Sequence, residues 1–157
     1  MTIHGDIADF AADLPPFGAL LGLDLGTRTI GVAISDSMRT VASPLKTIRR
    51  TKFTVDAVAL EAIAGERDVT GLVLGLPLNM DGSAGPRIQS TQAFARNLSR
   101  RVDLPIGFWD ERLSTVAAER ALLEADTSRK RRSEVIDHVA ASYILQGALD
   151  RLRYLKG

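Results

Sequence analysis

Four carboxylates in or beside apolar segments are the residues best suited to chemistry. Asp24 interrupts an otherwise apolar run from Leu20 to Leu25, and the adjacent pair Asp110 and Glu111 closes a short apolar run. Asp137 shares one face of a predicted helix with apolar residues. An ionised carboxylate that is buried without a partner is strongly unfavourable, so such a group is normally paired, protonated or bound to a metal ion. The question is therefore what these carboxylates hold.

Converging carboxylates favour a divalent cation. Two unit charges 4 Å apart repel by ~4 kcal/mol at an effective dielectric constant of about 20, so either one carboxyl takes up a proton or a cation binds among them. Oxygen ligands select Mg²⁺ or Mn²⁺, and the chain has no cysteine and only two histidines, His4 and His138. Two such ions are a usual means of hydrolysing a phosphodiester bond.

Each carboxylate could also have a purely structural role, and the residues alone do not decide between that role and metal binding. Asp137 suits the N-terminal end of a helix, where the dipole favours an anion. Glu111 could pair with a nearby arginine, and Asp110 could be a turn residue at the end of a strand. Asp24 is the hardest of the four to explain as structure.

The elements that must position these residues begin with three strands. Apolar runs at Leu20–Leu25 and Ile30–Ile34 flank a short turn that contains glycine, which is typical of a hairpin. A third run, Met38–Ile48, contains Pro44, which cannot donate to a ladder and therefore predicts an edge or interrupted strand. Together the three predict an antiparallel meander.

Helices and strands then alternate. A helix is predicted where Val55, Val58, Ala59, Ala62 and Ile63 recur at helical spacing, and a last helix is predicted from Ser133 to about Leu152. Between them lie strands at 72–76 and 104–109 and helices at about 85–101 and 114–125. We therefore expect an α/β fold: a mixed sheet with an antiparallel three-strand meander followed by parallel strands, and helices on both faces.

Composition bounds the class of protein. The chain has 157 residues, is 45% hydrophobic and 25% charged, and carries a net charge of +1, which indicates one globular domain. We interpret residues 1–18 as a flexible N-terminal arm and residues 19–157 as the domain. No stretch has the length of a transmembrane helix or the pattern of a secretory signal, so a cytoplasmic location without a membrane partner is expected.

Four segments in this order make the chain recognisable: Gly22–Gly26 with Ile30–Ala33, Gly75–Ser83, Asp110–Thr115, and Asp137 with Ala140, Ala141 and Ile144–Gln146. The chain resembles the YqgF family, also called RuvX, of the ribonuclease H-like superfamily, from Leu20 to Asp150. The resemblance implies a ribonuclease H-like fold and a metal-dependent nuclease.

The resemblance assigns the acidic site to Asp24, Glu111 and Asp137, with Asp110 as a further candidate ligand and Mg²⁺ or Mn²⁺ as the cofactor. The family is associated with maturing the 5′ end of the precursor of 16S ribosomal RNA, and it was earlier proposed to resolve Holliday junctions. Expected partners are thus structured RNA, the ribosome assembly machinery and, alternatively, branched DNA. A non-catalytic RNA-binding or nucleotide-binding module is a further alternative.

Candidate substrate contacts surround the predicted acidic site. Arg28 follows the strand of Asp24, Arg112 follows Glu111, and Asn79 lies in a loop expected to rim the same cleft. A predicted basic loop ending in Arg129, Lys130, Arg131 and Arg132 precedes the last helix. Such cations position a phosphate backbone, although clusters of this kind also occur as solvated surface. Trp109 is interpreted as a core or rim aromatic, with stacking on a base as the alternative.

Overall fold

The computed structural model describes residues 3–78, 81, 85–113 and 129–156, and within 129–137 it describes the backbone alone. Its strands are β1 (Ile3–His4), β2 (Ala19–Leu25), β3 (Thr29–Ser35), β4 (Ala42–Arg49), β5 (Val69–Leu76) and β6 (Ile106–Asp110). Its α-helices are α1 (Ile7–Ala12), α2 (Phe53–Glu66), α3 (Pro86–Ser99) and α4 (Arg129–Lys156), and a 3₁₀ turn spans Glu111–Leu113. The helix predicted at 114–125 lies outside the described residues.

The described strands form one mixed sheet in the order β1-β6-β5-β2-β3-β4. The meander is confirmed, because β2 pairs antiparallel with β3 and β3 with β4. The later strands are parallel to β2 as predicted: β5 pairs with β2, and β6 with β5. Pro44 lies in β4, at the edge of the sheet beside a shift in register, where a missing donor is tolerated.

Two apolar layers cover the sheet. On one face, α2 and α3 pack on Leu21, Leu23 and other buried residues of the central strands. On the other face, α1 and α4 pack on Leu20 and Val73. Because successive residues of a strand point to opposite faces, Gly22 and Asp24 belong to the α4 face with Leu20.

The N-terminal segment differs from the predicted arm. Residues 3–4 add a parallel strand beside β6, and α1 follows with Asp6 as its N-cap. The ring of Phe10 is fully buried, because Gly71 and Gly107 leave space for it: a Cβ at Gly107 would lie 2.7 Å from Phe10 Cγ. This segment was underestimated because its helix spans only six residues and its apolar positions stand among aspartates.

Two helices also differ from their predictions. On α2, Val55 and Val58 are 56% and 51% exposed, whereas Leu60 and Ile63 are buried. Apolar residues surround most of this helix, so periodicity selects no face. The last helix does not start at Ser133, since α4 already includes residues 129–132; Arg and Lys are good helix formers. No helix in the described part of the chain is long and apolar enough to cross a membrane.

Candidate active site

Asp24 lies in the middle of the sheet, near the carboxyl end of β2. Its side chain is 5% exposed, and its partner in β3 is Gly31. On the other side, Leu23 pairs with Leu74 of β5, so the next position along β5 beside Asp24 is Gly75. The carboxylate is therefore buried between two residues that have no side chain. The sequence prediction that Asp24 sits inside a strand of the core is confirmed.

Glu111 reaches the same face from the end of β6. Although β5 separates β6 from β2, the Oε1 atom of Glu111 lies 2.7 Å from where a Cβ of Gly75 would be. The carboxylate therefore crosses over β5 towards the strand that carries Asp24. Adjacent strands are about 4.8 Å apart, so only a residue without a side chain at position 75 leaves this path open.

Close packing determines how near α4 lies to this part of the sheet. Cβ atoms at Gly22 and Gly75 would lie 2.6 Å from Leu145 Cβ and 2.6 Å from Ile144 Cδ1, respectively. Both α4 residues are fully buried. Glycines on β2 and β5 thus allow the helix to approach the sheet more closely than larger residues would permit.

The N-terminal part of α4 lies near the row of residues that contains Asp24. A hydrogen bond of 2.9 Å joins His138 Nδ1 and Thr47 Oγ1. Thr47 pairs with Gly31, and Gly31 pairs with Asp24, so the three occupy one row across the sheet. Position 137 precedes His138 and lies one helical turn before Ala141. The Asp137 side chain lies outside the described residues, so its convergence with Asp24 stays a prediction.

Asp110 is engaged by Arg112. The Arg112 side chain donates to both carboxylate oxygens at 2.7–3.1 Å, and its backbone N–H donates to Oδ1 at 2.9 Å. These hydrogen bonds hold the pKa of Asp110 below its usual range and raise the pKa of Arg112. This contact accounts for Asp110 as the residue that orients Arg112.

Of the remaining predicted contacts, only Arg28 has a side chain among the described residues. Arg28 is exposed in the turn between β2 and β3. Residues 129–132 belong to α4 rather than to a loop, and their side chains, like all of Asn79, lie outside the described residues. Trp109 is 6% exposed and packs against Gly147 of α4, which confirms its interpretation as a core residue.

The donor set suits a hard divalent cation. Asp24 and Glu111 present carboxylate oxygens on one face, the ligand chemistry that Mg²⁺ and Mn²⁺ prefer, and Gly75 opens the space between them. Among the described side chains there is no group of three acidic, histidine or cysteine residues close enough to hold a metal ion. The side chain of Asp137, the third predicted ligand, is not among the described side chains.

The sequence prediction did not assign a role to Gly75 or Gly31. Both glycines lie within apolar strand segments, where a residue without a side chain is otherwise unfavourable. A glycine in a buried strand is a signal for the close approach of another group, and that signal was present in the sequence of β5.

The fold is ribonuclease H-like. A Thermus thermophilus RuvC, solved in complex with a Holliday junction substrate, superimposes with a TM-score of 0.56 over 89% of this chain and 96% of that chain. The sequence identity between the two is 8%, so the likeness concerns the fold alone.

Relatives found by sequence are far more similar to this chain than RuvC is. Proteins provisionally named pre-16S rRNA nuclease from Cereibacter sphaeroides and Ruegeria pomeroyi are 72% and 74% identical to this chain. The alignments cover 98% and 95% of this chain and 96% and 97% of the relatives. The model of the RuvX family, described as Holliday junction resolvase, matches residues 18–151. The chain belongs to the RuvX family, and it is a nuclease that hydrolyses phosphodiester bonds. Nucleases of this kind work with a divalent metal ion.

Proposed function

We propose that this nuclease cleaves the precursor of 16S ribosomal RNA at its 5′ end, with Asp24, Glu111 and Asp137 as the ligands of Mg²⁺ or Mn²⁺. The observation that carries the proposal is the path of the Glu111 carboxylate over Gly75 to the strand that bears the buried Asp24. The choice of RNA is supported by the provisional name of the relatives. We place the reaction in the cytoplasm, in contact with the ribosome assembly machinery.

In this proposal the residues of the chain divide into two groups. The carboxylates of Asp24, Glu111 and Asp137 would hold the metal, which would supply an activated water molecule and a charge to stabilise the leaving oxygen. Arg28 and Arg112 contact backbone phosphates on either side of the acidic site. Arg112 is oriented for this contact by Asp110, and its side chain is still 34% exposed. The cationic residues 129–132 and Asn79 complete the substrate surface.

Asp137 is assigned by its place on α4. His138 is bonded to Thr47 in the row of Asp24, and neighbouring strands in that row are about 4.8 Å apart. Position 137 adjoins His138 on α4, and this backbone position supports Asp137 as the third ligand. A third carboxylate would make the site costly without a cation, because converging charges repel.

Resolution of a four-way DNA junction is the second candidate, because the family model that matches carries the description Holliday junction resolvase. Symmetric resolution requires two active sites, so this function needs a dimer. The two candidates use the same carboxylates and differ in substrate and in oligomeric state.

One experiment tests the site and separates the substrates. Wild-type protein and an Asp24→Asn variant are incubated with Mn²⁺ and either an RNA that spans the 5′ end of the 16S precursor or a four-way DNA junction. We expect the wild type to cut the RNA and the variant, folded by circular dichroism, to cut neither substrate. Cleavage retained in the variant would rule out this site. Cleavage of the junction alone would favour the resolvase, and RNA binding without cleavage by the wild type would favour a non-catalytic role.

A further inference from the structure

Two arginines from different elements converge on the turn that follows Asp24. Arg50, just after β4, donates from Nη1 to the carbonyl oxygen of Gly26 at 2.6 Å. Arg87, in the first turn of α3, donates from Nη2 to the carbonyl oxygen of Leu25 at 3.3 Å. Residues 25 and 26 belong to the end of β2 and the turn to β3, so both guanidinium groups lie next to the strand that bears the acidic site.

The two arginines line a small cavity. Its volume is about 50 Å³, which leaves room for at least one water-sized group. Thr27 and Ser90 add hydroxyl groups to the wall, whereas the hydroxyl of Thr91 donates to the carbonyl oxygen of Arg87. The described residues that line the cavity include no carboxylate. Two guanidinium groups and hydroxyl groups around a space of this size fit a phosphoryl group.

Arg50 is held in place before any ligand arrives. Besides its bond to Gly26, its guanidinium carbon lies 5.5 Å from the centre of the Phe94 ring, and Phe94 in turn packs edge-on against Phe53. A guanidinium group has five N–H donors, and the bond to Gly26 uses one of them. An arginine fixed in this way loses little side-chain entropy when it binds an anion.

The cavity is close to the acidic site but on the other side of the sheet. Arg87 belongs to α3, which packs on the face opposite α4. Thr27 is three residues beyond Asp24, and three residues span at most about 10 Å. A nucleic-acid strand that passes around the exposed tip of the turn between β2 and β3 can therefore reach both places.

We propose that Arg50 and Arg87 form a second phosphate subsite, which holds a backbone phosphate of the nucleic acid beside the phosphodiester bond to be cut. This inference rests on the proposed nuclease site. It adds that the substrate is bound on both sides of the turn between β2 and β3. The subsite positions the strand and takes no part in bond cleavage. Arg28, exposed on the same turn, extends the positive surface between the two places.

The test compares two arginines of the same helix. Arg87→Gln removes a charge from the cavity, and Arg96→Gln removes the same charge from an exposed position on α3 outside the cavity. Affinity for a fluorescein-labelled RNA that spans the 5′ end of the 16S precursor is measured by anisotropy in EDTA, so that nothing is cut, over a series of salt concentrations. Each lost contact to a single strand reduces the slope of log K against log salt by about 0.7.

We expect Arg87→Gln to bind this RNA roughly tenfold more weakly than wild type at low salt, which corresponds to about 1.4 kcal/mol, and to lower the slope. Arg96→Gln should match the wild type, and Arg87→Lys, which keeps the charge, should keep the wild-type slope. Equal slopes for Arg87→Gln and Arg96→Gln would overturn the subsite, as would a slope for Arg87→Lys as low as that of Arg87→Gln.

Two further measurements separate the sources of phosphate and the two proposals. If Arg87→Gln weakens binding of inorganic phosphate but binds RNA as Arg96→Gln does, the cavity serves a free anion and the proposal is wrong. Because binding is measured without metal, the result does not depend on cleavage. An Asp24→Asn variant that still cut RNA would refute the acidic site and leave the subsite standing, whereas equal slopes would refute the subsite alone.

Discussion

The carboxylate of Glu111 lies over Gly75, with its Oε1 atom 2.7 Å from the position that a Cβ would take there. The same Cβ would lie 2.6 Å from Cδ1 of Ile144. Real Cβ atoms do not approach other atoms this closely, so any side chain at position 75 displaces one of the two groups. Gly75 is therefore the space through which the acidic residue of β6 reaches the strand of Asp24.

Gly75→Ala is expected to reduce cleavage as well as stability. Ile144 is fully buried and has little room to move, so the Glu111 carboxylate gives way. We expect kcat to fall by at least tenfold, while overpacking costs about 1–3 kcal/mol of the free energy of unfolding. Single-turnover cleavage of the RNA and urea unfolding measure the two effects separately.

Gly65→Ala is the matched control. Gly65 lies in the last turn of α2, and a Cβ there would meet nothing within 4 Å. Alanine favours the helix over glycine by up to about 1 kcal/mol, so this variant should be slightly more stable and fully active. Full activity in Gly75→Ala would show that Glu111 does not need this space.

Phe10→Ala should destabilise the whole domain, although residue 10 belongs to the segment that the sequence had suggested was a flexible arm. The ring is fully buried against Gly71 and Gly107, and removing a buried phenylalanine ring costs about 3–5 kcal/mol. Urea unfolding measures the loss.

The comparison for Phe10 is Phe17→Ala. Phe17 is 61% exposed, with the ammonium of Lys156 6.0 Å from its ring centre, a contact worth less than about 1 kcal/mol. Equal losses in the two variants would mean that the N-terminal segment is not part of the core.

Asp36 should contribute stability that disappears in acid. Hydrogen bonds from the Val41 backbone and the Thr40 hydroxyl lower its pKa from 3.8 to about 2 in the folded protein. Because the folded pKa lies below the unfolded one, the contribution is complete above about pH 4 and is lost as the pH falls towards 2. The difference in stability between wild type and Asp36→Asn, measured by urea unfolding, should therefore shrink from pH 5 to pH 2. A constant difference over this range would contradict the lowered pKa.

Patterns along single segments predicted much of the structure. A meander, parallel strands beyond it and a buried Asp24 follow from apolar periodicity and from the proline in β4. Glu111 could be placed at a strand end in the same way. The short N-terminal helix was missed because its periodicity spans only six residues, too few to stand out.

Features that depend on residues far apart in sequence meeting in the fold were not predictable in this way. The space over Gly75 exists only because β5 lies between β2 and β6. Local periodicity does not specify the order of strands in a sheet. The pairing of Arg112 with Asp110 also had to be seen in space, because the sequence left open a pairing of Glu111 with a nearby arginine. Arg50 and Arg87 are 37 residues apart in the chain, and only the fold brings both to the turn after Asp24.

The most direct test of the acidic site is a calorimetric titration with Mn²⁺. Wild-type protein should show saturable binding, and Asp24→Asn, Glu111→Gln and Asp137→Asn should each bind Mn²⁺ at least about tenfold more weakly. Asp110→Asn, whose carboxylate is held by Arg112, should bind it as the wild type does. If Asp24→Asn and Glu111→Gln both bind Mn²⁺ with wild-type affinity, these carboxylates do not form a metal site.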